Sequence, residues 1–159
     1  MKLLCIDPGP EVSGAVRYNT DTGEVWSIMP EIANQKLVGE VLVVSRFTDH
    51  LVIEMVAAMG MTVGKSTFET VLWTGRFMEI FGWERCTKIY RRQVKQELCG
   101  NQQAKDANVR RALLDRFQAI GGGSNPQIGT KAKPGPLYGL SKHAVSALAV
   151  GVTYQALCT

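Results

Sequence analysis

An α/β fold built on a five-stranded mixed sheet flanked by helices is predicted by three observations. Short apolar runs bounded by turn residues recur along the first third of the chain. Two of these runs end in an acidic residue. After them, strand-like and helix-like patterns alternate, as in a sheet covered by helices.

The first strand is read at residues 2–7, where Leu3-Leu4-Cys5-Ile6 runs into Asp7 and the turn Pro8-Gly9-Pro10. A second strand at about 14–18 and a third through Val25 and Ile28 are joined by Asp21-Thr22-Gly23, a hairpin turn signal. Residues 34–47 are expected to be helical despite Gly39 and the valines at 41, 43 and 44. The fourth strand, His50-Leu51-Val52-Ile53, ends in Glu54. Ser66, with Glu69 three residues on, has capping-box spacing. It is expected to open a helix that turns Phe68, Val71, Leu72 and Phe77 to the core and ends near Gly82. Residues 85–90 complete the sheet. Helices follow at 91–99 and 105–119, the latter with Val109, Leu113 and Phe117 in one stripe. The stretch from Gly121 through Pro136 reads as flexible. Ser141 is then expected to cap a final apolar helix to about Leu157.

At 159 residues, with 45% hydrophobic and 20% charged residues, the chain fits one soluble domain spanning 1–159. No apolar run reaches the length of a membrane span, and the N-terminus lacks a signal-peptide pattern. A cytoplasmic protein with no membrane partner is expected. Cys5, Cys86, Cys99 and Cys158 have no zinc spacing and read as reduced thiols. The net charge is +4, and residues 85–116 hold nine Lys and Arg against three acids. Such a concentration favours phosphate contacts and a polyanionic partner.

A carboxylate at the end of a buried strand is costly unless something cationic meets it. Asp7 and Glu54 repeat that arrangement, so the pair points to a divalent metal site at one edge of the sheet. Gly60-Met61-Thr62-Val63-Gly64-Lys65-Ser66 looks like a phosphate-binding loop, but three residues separate its glycines where four are needed. No nucleotide cofactor is expected.

The ordered set of motifs resembles the RuvC-type Holliday junction resolvases, especially their phage and prophage branch. The resemblance rests on Cys5-Ile6-Asp7-Pro8-Gly9-Pro10 with Ser13-Gly14, on Val52-Ile53-Glu54, and on Arg92-Gln93-Val94-Lys95 followed by Gly100 and Ala104-Lys105. It continues to Ala147-Leu148-Ala149-Val150. Phe68-Glu69-Thr70, Trp73-Thr74-Gly75-Arg76-Phe77, Leu98-Cys99-Gly100 and Lys105-Asp106-Ala107-Asn108 are similar to the phage branch. Each motif is weak alone, but together they span nearly the whole chain.

The resemblance implies an RNase H-like fold and a homodimer in a bacterial cell, cutting four-way DNA junctions with Mg²⁺ or Mn²⁺. It implies that Asp7 bridges two ions and that Glu54 ligates one of them. Lys95 and Lys105 match DNA-binding positions near the active site, and Lys65, Arg76, Arg91, Arg92 and Lys142 join them as expected DNA contacts. The loop holding Met61, Lys65 and Phe68 falls where the family probes the junction centre, although Phe68, just inside a helix, is expected in the core.

The family's last helix offers two acids one turn apart, and this chain has His143 and Ser146 there. His143 is therefore the expected third ligand. Imidazole suits Mn²⁺, serine is a weak neutral ligand, and Mg²⁺ should bind this set less tightly. Ser146 and Asp106 are additional candidates, with Asp115 as another acid on the helix of Asp106. His50 lies at the strand end away from Glu54 and is not expected to be catalytic. Competing expectations are a branched-DNA-binding protein with weak or lost catalysis, and a fork or flap nuclease of broader specificity. A kinase-like reading on the actin-type fold lacks the glycine motifs that class needs.

Overall fold

The computed structural model describes residues 1–58, 60 and 62–158. Its strands are β1 (Lys2–Asp7), β2 (Val12–Asn19), β3 (Val25–Ala33), β4 (His50–Met55) and β5 (Cys86–Tyr90). They form one sheet in the order β3-β2-β1-β4-β5. β1 runs antiparallel to β2 and parallel to β4, and β4 runs parallel to β5. The helices are α1 (Asn34–Val44), α2 (Lys65–Phe81), α3 (Arg91–Cys99), α4 (Asp106–Leu114) and α5 (His143–Cys158).

Side chains alternate across a strand, so each strand serves two cores. Leu3, Cys5, Val16, Tyr18, Val52 and Ile89 pack with α3, α4 and α5 on one face. Leu4, Ile6, Ala15, Leu51 and Ile53 pack with α1 and α2 on the other. α5 is apolar and small on nearly every side, with Ala144 and the run Ala147–Thr153 buried. Small residues let it lie close to the sheet: a Cβ on Gly151 would come 2.4 Å from Cys5 Sγ. Parity puts Asp7 (with Leu3 and Cys5) and Glu54 (with Val52) on this α5 face.

Several sequence expectations need correction. α2 begins at Lys65 with Gly64 at its N-cap and no side-chain cap, so Ser66 lies inside the helix rather than capping it. Its buried face is Thr70, Thr74, Phe77, Met78 and Phe81. Phe68 (66% exposed), Val71 and Leu72 (60%) point outward instead. The two threonines are buried cheaply, because their hydroxyls bond back to the carbonyls of Ser66 and Thr70.

α4 stops at Leu114, short of residue 119. α5 starts at His143, with the Ser141 carbonyl, not its side chain, taking the Ala144 N–H. The glycine-rich stretch is compact rather than loose. Gly122 N–H bonds Lys133 O, Gly135 N–H bonds Ile128 O, and Leu137 N–H bonds Gln127 O. At Gly129, Gly121 and Gly135 a Cβ would meet backbone at 2.2–2.6 Å, so glycine is needed for these close approaches.

Candidate active site at the sheet edge

Ile6 pairs with Ile53 across β1 and β4, so the residues that follow, Asp7 and Glu54, stand at the same level of neighbouring strands. The turn after Asp7 is pinned by a buried polar network that sequence reasoning missed. Ser13 Oγ accepts from Gly9 N–H at 3.2 Å and donates to Asn34 Oδ1 at 2.6 Å. Asn34 Nδ2 in turn donates to Gly9 O at 2.9 Å. No local spacing signals a link between residues 13 and 34; an isolated Asn at a strand-to-helix junction was the only clue.

α5 brings His143 over Asp7, with Nδ1 2.9 Å from Asp7 Oδ2. Gly14 makes this possible. It pairs with Asp7 across β1 and β2, and a Cβ there would sit 2.3 Å from the His143 carbonyl carbon. Burial pushes the Asp7 carboxyl above its usual range, opposed by the bond to His143 and the positive charge of Arg91.

Glu54 is held differently. Burial, then the charge of Asp7, pushes its carboxyl up to about 7 against the pull of Arg91 and Lys95. Its Oε2 is buried without a hydrogen-bond partner. Arg91 Nη1 lies 3.8 Å away, an ion pair too long to be a hydrogen bond. Arg91 leads α3, directly after β5, and Lys95 is one turn further on.

The remaining expected residues divide by position. Ser146, one turn from His143, has its Oγ 3.5 Å from Arg91 Nη1. Asp106 accepts from Arg91 Nη2 at 2.9 Å, lies 3.7 Å from Lys95 Nζ, and its carboxyl is held low chiefly by the Arg91 bond. It reaches the site only through these cations. Asp115 pairs with Arg111 on the exposed side of α4 and is not part of the cluster. His50 bonds Thr87 and stacks on Tyr154 at the far end of the sheet.

Arg92 and Lys95 line a cleft of about 370 Å³ beside Glu54, together with Tyr90, Arg91 and Gln102. Lys105 is exposed just before α4 and Lys65 is exposed at the start of α2. Lys142 is tied to Glu31, and Arg76 covers the Trp73 ring at 4.5 Å. Met61 lies outside the described residues.

Among the described residues no group of three His, Cys, Asp or Glu side chains is arranged to hold a metal ion. The donor chemistry nevertheless fits a hard divalent cation. Two carboxylates converge from separate strands, an imidazole is bonded to one of them, and a buried carboxylate oxygen lacks a partner.

The sequence matches no protein-family model, and no curated protein matches it. The fold does have solved counterparts. Thermus thermophilus RuvC is similar with a TM-score of 0.68 and 17% identity, over 100% of this chain and 98% of that one. T. thermophilus RuvC in complex with Holliday junction substrate is similar with a TM-score of 0.66 and 17% identity, over 99% and 94%. The chain therefore has the RuvC-type, RNase H-like α/β fold. No helix among the described residues is long and apolar enough to cross a membrane.

Proposed function

We propose that this protein is a divalent-metal-dependent endonuclease that resolves four-way DNA junctions. One observation carries the reading: on a RuvC-type fold, Asp7 and Glu54 follow the in-register pair Ile6–Ile53 on neighbouring parallel strands, with His143 bonded to Asp7. The similar RuvC bound to a Holliday junction substrate supports the choice of branched DNA.

Asp7, Glu54 and His143 would hold Mg²⁺ or Mn²⁺. When bound, the ion polarises the phosphate and lowers the pKa of water. The protein's own groups do the rest. Asp7 accepts from His143 Nδ1–H, which fixes the ring and leaves Nε2 as its basic nitrogen. Through that atom His143 would ligate the ion or take the attacking water's proton. In the reaction the water oxygen bonds to phosphorus and the bond from phosphorus to one sugar oxygen breaks. The departing oxygen takes a proton, giving a phosphomonoester and an alcohol. Arg92, Lys95, Lys105 and Lys65 would hold the DNA backbone, an attraction that weakens as salt rises. Phe68, exposed near the start of α2, would stack on an unpaired base at the junction centre.

Paired nicks need two copies of the site. α1 and α2 pack together and leave Leu42, Val43 and Leu72 exposed, apolar surface suited to a second copy of the chain. Sedimentation at micromolar concentration should show a dimer, and a monomer both free and with junction DNA would remove this part of the proposal.

The deciding assay compares nicking of a four-way junction, a replication fork and linear duplex at equal concentrations with Mg²⁺ or Mn²⁺. Symmetric nicks confined to the junction are expected. Equal cutting of forks would favour the broader nuclease. Tight junction binding without cutting would favour a branched-DNA-binding protein, the reading that Ser146 supports.

A further inference from the structure

Where the resemblance leads one to expect a second acid, one turn along α5 from His143, the chain has Ser146 and a cation of its own beside it. Arg91 Nη1 lies 3.5 Å from Ser146 Oγ and 3.8 Å from Glu54 Oε2. Nη2 bonds Asp106 Oδ1 at 2.9 Å. β4, α4 and α5 thus converge on one guanidinium. Its backbone is well anchored: Tyr90, immediately before it, pairs with Met55 at the end of β4.

The electrostatics at Ser146 oppose a divalent ion on two counts. A neutral hydroxyl replaces a carboxylate, and hard cations are held chiefly by charged oxygens. A guanidinium is already present, and it stays charged at any working pH. Around Asp7 and His143 the balance is different, because no Lys or Arg forms an ion pair with Asp7 among the described residues.

We infer that the site takes a single divalent ion, at Asp7, Glu54 and His143, and that the Arg91 guanidinium fills the second cation position beside Ser146. This rests on the reading of those three residues as metal ligands. The Nη1 of Arg91 can donate to a non-bridging oxygen of a phosphodiester, and its fixed charge offsets that of the phosphate. Asp106 clasps the outer nitrogen and leaves Nη1 turned into the site.

Titrating Mn²⁺ into the metal-free full chain, with the free ion followed by electron paramagnetic resonance, counts tight sites without requiring cleavage. Wild type is expected to take one ion per chain. Arg91→Ala combined with Ser146→Asp should take two, whereas Ser146→Asp alone should stay at one because Arg91 pairs with the new carboxylate. Circular dichroism checks that the double variant folds; if it does not, the other two counts decide. Two ions on the wild-type chain or on Ser146→Asp overturn the inference and leave the metal site standing. One ion on a folded double variant also overturns it. No ion on the wild-type chain sinks the metal-site reading and the inference with it.

Discussion

Asp7 and Glu54 stand side by side at the ends of parallel strands, about equally buried (17% and 14% exposed), yet their surroundings differ. Asp7 has a short bond to an imidazole from α5. Glu54 has a buried oxygen with no hydrogen bond and a guanidinium just out of reach. The Asp7 half is completed by the fold itself. In the Glu54 half, burial and then the neighbouring Asp7 charge push the carboxyl up to about 7, and Arg91 offsets this only in part. A carboxylate in that position is destabilising to the free protein and receptive to a cation. The arrangement suits a site that needs its ligand more than its stability.

The largest expected effect breaks the Asp7 half. Gly14→Ala places a methyl 2.3 Å from the His143 backbone, so α5 must shift. We expect a loss of about 3 kcal/mol in urea unfolding together with lost cleavage. Wild-type stability and cutting would show that α5 is not held against β2 as described.

A smaller effect of opposite sign sharpens the Glu54 half. In the metal-free protein the folded chain keeps a proton on Glu54 that the unfolded chain releases above its ordinary value of 4.5. Stability should therefore fall as pH rises from about 4.5 to about 7, with the full penalty above that window. Glu54→Gln removes the penalty. It should stabilise the metal-free protein by on the order of 1–2 kcal/mol at pH 8, with little difference from wild type at pH 4, while ending cleavage. Destabilisation at pH 8 would mean that Arg91 already compensates the charge.

The same two halves show what a sequence can and cannot reveal. Asp7 and Glu54 were legible because an acid ending an apolar run is unusual, and the two runs match. The mixed sheet followed from the hairpin turn and the later alternation, although its strand order did not. The face of α2 was not legible: its apolar residues lie on two sides, and periodicity does not say which side meets the sheet. The threonines that win the core do so by bonding within the helix. The stretch from Gly121 to Pro136 has a composition shared by loose linkers and by tightly hydrogen-bonded loops. Only its own backbone bonds separate the two. Arg91 stood out as one of many basic residues. Its reach across to Glu54 and Ser146 depends on side chains 37 and 55 positions away, which no local pattern encodes.

The most direct test of the central claim is cleavage of a four-way junction by wild-type protein and by Asp7→Asn, with Mg²⁺ or Mn²⁺ and with junction binding measured alongside. The wild-type chain should nick the junction only when the ion is added. Asp7→Asn should bind at least as well, having lost a negative charge near phosphate, and should not cut. Full cutting by Asp7→Asn with either ion would contradict the assignment of Asp7 as a metal ligand and the nuclease mechanism built on it.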